Sequence, residues 1–231
     1  MNCSYLDKNV EEIRSKIKAS AEKAGRDPRD VVLLAAVKSA DVDEINYIHN
    51  SLGIRDIGEN RVQQLIERWE KLDKEGLNLH FIGSLQTNKV KYIIDKVSLI
   101  HSLDSERLAQ EIDRQAKKHG LVASVLVEIN SGSEEQKGGI RPEDVAQFCR
   151  SLERFDGIRL CGFMTMAPKC ENKEDYRAYF EKTRALCESV WQEILEKKEK
   201  PILSMGMSDS YEIAVECGAT MVRVGRQMFA K

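Results

Sequence analysis

A (β/α)8 barrel preceded by one additional helix is the fold this sequence predicts. Three observations carry the expectation: eight short apolar runs, amphipathic stretches between them, and a length of 231 residues, which suits one barrel better than two average domains. Residues 1–231 are therefore expected to form a single domain. The runs are Val31 to Lys38, Asp56 to Asn60, Leu79 to Ser84, Leu99 to Asp104, Ala123 to Asn130, Ile158 to Ala167, Ile202 to Ser208 and Met221 to Phe229. Their starts lie between 19 and 44 residues apart, which leaves room for a helix at each crossover and none for hairpins, so the strands are expected to pair in parallel. Eight such units favour closure over an open doubly wound sheet, the alternative topology, whose usual count is about five or six strands.

The helices follow in order. Leu6, Val10, Ile13, Ile17, Ala21 and Ala24 share one face of a helix before the first strand. Val62, Leu65, Ile66, Trp69 and Leu72 form a second apolar stripe, and Thr87 and Asn88 open the helix that contains Tyr92. Pro142, Glu143 and Asp144 read as a first helical turn, where proline and acidic residues are favoured. A long stripe runs from Tyr176 to Leu195, and Ser208, Asp209 or Ser210 is placed to cap a last short helix. The Gly-rich stretch Ser131 to Gly139 reads as a mobile loop after the fifth strand, and Glu193 to Lys200 as a solvated face.

Composition narrows the function classes. Lys+Arg 36 against Asp+Glu 38 gives a formal charge of −2, so nucleic acid and anionic membrane are poor partners. No apolar run approaches the ~20 residues of a membrane span, and the amino end mixes acidic and basic residues where a secretory signal has an apolar core. A cytoplasmic location is expected. The six cysteines show no C-x-x-C pair and the four histidines no metal-ligand spacing, so reduced, mostly buried thiols and no metal are expected.

In a barrel of this kind the site lies where the strands end. The polar residues ending the apolar runs are Lys38, Glu59 and Asn60, Ser84, Asp104, Asn130, Thr165, Ser208, and Arg223 and Arg226 around Gly225. Lys38 closes a seven-residue apolar run, where a partly desolvated amine is nucleophilic and can form a Schiff base, or simply marks the strand end. The Gly206-Met207-Ser208 turn and Gly225 fall after strands seven and eight, the two places where such barrels often hold a phosphate. Ser208 as a plain helix cap is the competing reading. Arg223, if inward, needs an acceptor, either an unprotonated ring nitrogen or a carboxylate such as Glu128 or Asp104. Asn60 reads first as a helix cap, His80 as a packed core histidine, and Met164, Met166, Met205 and Met207 as barrel core.

Six segments, LLAAVKSA, DIGENRVQ, HFIGSLQTNK, NSGSEEQKGG with Lys137, GFMTMAP and SMGMSDSYEIAVECGATMVRVG, together resemble the pyridoxal phosphate homeostasis protein family, whose barrel is that of the alanine racemase N-terminal domain. The resemblance spans nearly the whole chain in the family's order. It implies pyridoxal 5′-phosphate held as an internal aldimine on Lys38, with Asn60 beside the ring and Arg223 facing the ring nitrogen. It also implies a phosphate resting on Ser208 and on the backbone around Met207, Gly225 and Arg226. The family's usual ending reads like VRIGTAIFG, whereas this chain has Arg226 for a hydroxyl residue and Ala230 for glycine. Either Arg226 makes a charge-assisted contact in the hydroxyl's place, or it points outward and leaves the backbone N–H alone.

A cofactor carrier is thus the first reading, with pyridoxal-phosphate-dependent apoenzymes as recipients and a monomer or weak dimer as the assembly. An amino-acid racemase is the second, and it needs a further base for which Tyr211 is the one tyrosine expected near the rim. A phosphosugar barrel enzyme using Lys38 without pyridoxal phosphate is the third.

Overall fold

The computed structural model describes residues 3–132, 138–195 and 199–231, so Lys137 and the middle of its loop lie outside the described residues, as does part of the charged stretch before Lys200. Among the described residues the strands are β1 (Val32–Ala36), β2 (Asp56–Glu59), β3 (Asn78–Phe81), β4 (Leu99–Leu103), β5 (Ala123–Ile129), β6 (Ile158–Thr165), β7 (Ile202–Ser204) and β8 (Met221–Val224). They pair in parallel and in chain order, and β8 pairs back on β1 to close the barrel. The helices are α1 (Ser4–Lys23), α2 (Val42–Asn50), α3 (Val62–Trp69), α4 (Glu106–Lys118), α5 (Val145–Ser151), α6 (Asp175–Ser189) and α7 (Tyr211–Glu216), with a 3-10 helix at Thr87–Tyr92 in place of an α-helix between β3 and β4.

Local chemistry explains where elements begin. Asp41 and Glu44 form a reciprocal capping box at the start of α2, and Ser105 accepts from the Leu108 N–H at the start of α4. A 3-10 turn at Pro142–Asp144 leads into α5. Leu6, Val10, Ile13, Ile17 and Ala21 bury one face of α1, whereas Ala24 lies beyond the last turn and is exposed. The long stripe ending at Leu195 does not stay α-helical, since Val190–Ile194 widens into a π turn.

Two apolar regions result. The larger lies between the barrel and its helices and contains Val37, Ile57, Phe81, Val125, Phe163 and Val224. A small one, Leu99, Leu126 and Met164, forms a separate cluster with Cys161 and Ile202 packed against it. The methionine run divides accordingly, because Met164 and Met205 are buried while Met166 and Met207 lie past the ends of β6 and β7 and are 43% and 41% exposed. Cys3, Cys149, Cys187 and Cys217 are buried, and all six cysteines are free thiols.

The strands stop short of the apolar runs. β1, β2, β7 and β8 end at Ala36, Glu59, Ser204 and Val224, so Lys38, Asn60, Ser208 and Gly225 all stand on the connections that leave the carboxyl rim. At the other end of the chain's path, Asn9 of α1 donates to the carbonyls of Met228 (3.0 Å) and Ala230 (2.8 Å), tying the first helix to the segment after β8.

Candidate functional site

Lys38 and Asn60 come together through strand register. Ala36 pairs with Gly58 at the end of the parallel ladder, and the connections that follow carry Lys38 and Asn60 to the same part of the rim. Both line a cleft of about 540 Å³ with Ser39, Arg61 and Gln64. Lys38 is exposed: β1 ends at Ala36, two residues before it, and the buried Val37 closes the apolar run, so the lysine stands on the open connection that follows. Arg68 of α3 holds the segment in place, donating to the carbonyls of Val37 (3.0 Å) and Ala40 (2.5 Å) and to the buried Glu59 carboxylate (2.5 Å). Asn60 is not a helix cap. Arg61 occupies that position, and Asn60 Oδ1 is buried without a hydrogen-bond partner, an orphaned acceptor beside the lysine.

The turns after β7 and β8 are laced together. Gly206 has φ +89°, and a Cβ there would come within 2.5 Å of the Ala214 side chain, so only glycine allows this turn to sit against α7. Gly225 approaches β1 so closely that a Cβ would lie 2.6 Å from the Ala36 carbonyl. Ser208 is buried; its Oγ accepts from the Gln227 N–H (3.4 Å) and its carbonyl from Gln227 Nε2 (2.8 Å). The cap of α7 is Ser210, which makes no side-chain cap bond and instead accepts from the Met207 N–H (3.2 Å). Among the described residues the N–H groups of Ser208, Asp209 and Arg226 meet no protein acceptor, which leaves three donors for an anion. Arg226 itself points outward: its side chain is 73% exposed and pairs with Asp209 at 2.6 Å.

Arg223 is turned inward and buried. It donates to the Ser204 carbonyl (2.7 Å), to Ser204 Oγ (2.7 Å) and to the Thr165 carbonyl (2.9 Å), so its protein acceptors are uncharged oxygens rather than Glu128 or Asp104. Burial lowers its pKa to about 10, with the Glu128 charge opposing. Burial and then the neighbouring Asp104 charge push the Glu128 carboxyl up to about 7, and Arg223 acts against them. Tyr211, the first residue of α7 after β7, is buried with its hydroxyl unpartnered.

Sequence reasoning placed His80 in the interior and missed its company. His80 Nε2 lies 3.1 Å from Asp56 Oδ1, His80 Nδ1 2.9 Å from His101 Nε2, and His101 Nδ1 3.1 Å from Ser204 Oγ. The available signal was parity within the strands: Asp56, His80, His101, Ser204 and Arg223 each fall on an inward position, and no fixed spacing along the chain links them.

Fold and rim define a parallel (β/α)8 barrel that gathers a lysine, an unpartnered amide oxygen, free backbone N–H groups and a buried arginine at one end. The chain belongs to the alanine racemase N-terminal domain family, which matches residues 6–230, and within it to the pyridoxal phosphate homeostasis proteins. One such protein, from Aquifex aeolicus, is 42% identical over 229 residues, covering 99% of this chain and 97% of the relative. A solved structure of a Bifidobacterium adolescentis protein superposes with a TM-score of 0.90 at 32% identity, covering 98% of this chain and 95% of that one. PipY of Synechococcus elongatus, solved with pyridoxal phosphate bound, superposes with a TM-score of 0.83 at 29% identity, covering 97% of this chain and all of PipY.

Proposed function

We propose that this chain binds pyridoxal 5′-phosphate and serves the homeostasis of that cofactor. The observation that carries the reading is the pairing of an exposed rim lysine, Lys38, with the buried and partnerless Oδ1 of Asn60. When bound, the cofactor supplies an aldehyde that condenses with a primary amine. Lys38 is that amine and Asn60 lies beside the ring. Ser208, with the backbone of Met207, Gly225 and Arg226, receives the phosphate, and the free N–H groups of the two turns supply its hydrogen bonds. Arg223 faces the ring nitrogen. A guanidinium donates and cannot accept, so it keeps that nitrogen unprotonated and the cofactor a weak electron sink, suited to storage and release.

Residues 1–231 act as one binding unit in this reading, a monomer or weak dimer in the cytoplasm that passes the cofactor to pyridoxal-phosphate-dependent apoenzymes. Among the described residues no helix is long and apolar enough to cross a membrane. The enclosed hydroxyl of Tyr211 gives a racemase no second base there.

The test is the protein's absorbance and a borohydride trap. Wild type loaded with pyridoxal phosphate is expected to be yellow and to carry the reduced label on Lys38, while Lys38→Ala loses both and keeps its fold. A label on another lysine, or a wild type that takes up no cofactor, refutes the assignment, and the latter outcome favours a phosphosugar ligand.

A further inference from the structure

A single line of hydrogen bonds crosses the barrel interior from Asp56, at the start of β2, to Arg223 on β8, passing through His80, His101 and Ser204. Its direction follows from what each group can donate. Arg223 has no lone pair to offer, so it donates to Ser204 Oγ at 2.7 Å. The hydroxyl proton of Ser204 then finds its acceptor in His101 Nδ1, 3.1 Å away. With Nδ1 accepting, the N–H of His101 is on Nε2 and is directed at His80 Nδ1, 2.9 Å away. His80 in turn carries its proton on Nε2 and gives it to Asp56 Oδ1 at 3.1 Å. Every donor has an acceptor, and every bond points away from Arg223. Burial above all, with the Arg223 charge adding to it, holds the His101 pKa well below the usual histidine range, in agreement with a single N–H on that ring. Run the other way, the line places two donors on Ser204 Oγ and leaves the serine proton with no acceptor in the chain of bonds, a loss that a buried site penalises.

Space filling does not account for this line. Leu99, Leu126 and Met164 form an apolar cluster of their own, so aliphatic side chains fit this part of the fold without polar atoms to satisfy. What the polar line supplies is a serine oxygen whose lone pair is aimed at the guanidinium. We propose that His101 and His80, anchored on Asp56, are positioning residues that orient Arg223 through Ser204 and so set the edge it presents to the ring nitrogen of the bound cofactor. This rests on the functional reading for the ring nitrogen alone; the direction of the line is a property of the ligand-free protein.

Two measurements separate these parts. Long-range proton–nitrogen NMR of the ligand-free wild type is expected to find both imidazoles as Nε2–H tautomers, and an Nδ1–H tautomer on either ring overturns the proposal. In the protein loaded with pyridoxal phosphate, His101→Gln keeps an acceptor for Ser204 and a donor for His80 and is expected to retain the wild-type absorbance maximum. His101→Leu and the smaller Ser204→Ala are expected to shift that maximum and weaken binding about fivefold, the effect of one lost neutral hydrogen bond. A Ser204→Ala protein that melts like wild type yet keeps the same spectrum and affinity refutes the positioning role. A wild type that binds no cofactor refutes the functional reading and the link to the ring nitrogen together, while the NMR result still decides the direction of the line.

Discussion

Replacing Glu128 by glutamine is expected to raise the melting temperature of the ligand-free protein at pH 8 and to leave it unchanged near pH 4.5. Glu128 is 7% exposed, and its carboxyl moves from an ordinary 4.5 to about 7 on folding, through burial first and the Asp104 charge second. A carboxyl raised in this way gives its full contribution to stability below the unfolded value and loses it as pH climbs through the folded one. The wild type therefore gives up stability between pH 4.5 and about 7. At about 1.4 kcal/mol for each tenfold change in proton affinity, the sum is on the order of 2–3 kcal/mol. Glutamine has nearly the shape of the protonated acid and never ionises, so the variant keeps that increment at pH 8. For a chain of this size, roughly 2–4 °C per kcal/mol translates it into about 4–12 °C. Thermal unfolding followed by circular dichroism at half-unit pH steps, on protein stripped of ligand so that binding does not contribute, reads the effect directly. A variant no more stable than wild type at pH 8, or one shifted equally at pH 4.5 and 8, refutes the reasoning.

Arg68→Met is expected to cost about 3–5 kcal/mol in urea unfolding, because it leaves the buried Glu59 carboxylate and two carbonyls of the Lys38 segment without their donor. Adding Glu59→Gln should restore more than half of the loss, and an unchanged denaturation midpoint in the single variant would count against the clamp. Arg226→Ala should keep pyridoxal phosphate affinity within about 1–2 kcal/mol of wild type, since the arginine is mostly exposed and bound to Asp209 while the backbone donors remain. Complete loss of binding in a fluorescence titration would show that this arginine clamps the phosphate.

The barrel was legible because short, largely apolar and mostly buried runs recur along the chain, and a crossover helix follows most of them. Its edges were less so, since apolar character continues into the rim connections: Met207 follows β7 as smoothly as a strand residue and is nonetheless exposed. Asn60 illustrates the same limit. Capping was the local expectation, but α3 starts from Arg61 and the amide oxygen is enclosed with no partner, a fact of tertiary placement. The interior line was invisible for a different reason. His80 meets His101 across 21 positions and His101 meets Ser204 across 103, so only closure of the barrel brings them together.

Closure has a cost in time. The pairing that seals the ring joins Val32 to Met221, while every other strand pair joins consecutive strands. Contacts of such high sequence separation form late, after the entropy of closing nearly the whole chain has been met. During synthesis β1 therefore waits with a bare edge until β8 emerges, and each newly made strand offers a second edge of its own. A chain halted after β7 retains most of the apolar shell and displays two unpaired strand edges at once, a template for pairing with other chains. Premature termination in the last segment is thus predicted to yield self-associating protein rather than a merely weakened barrel.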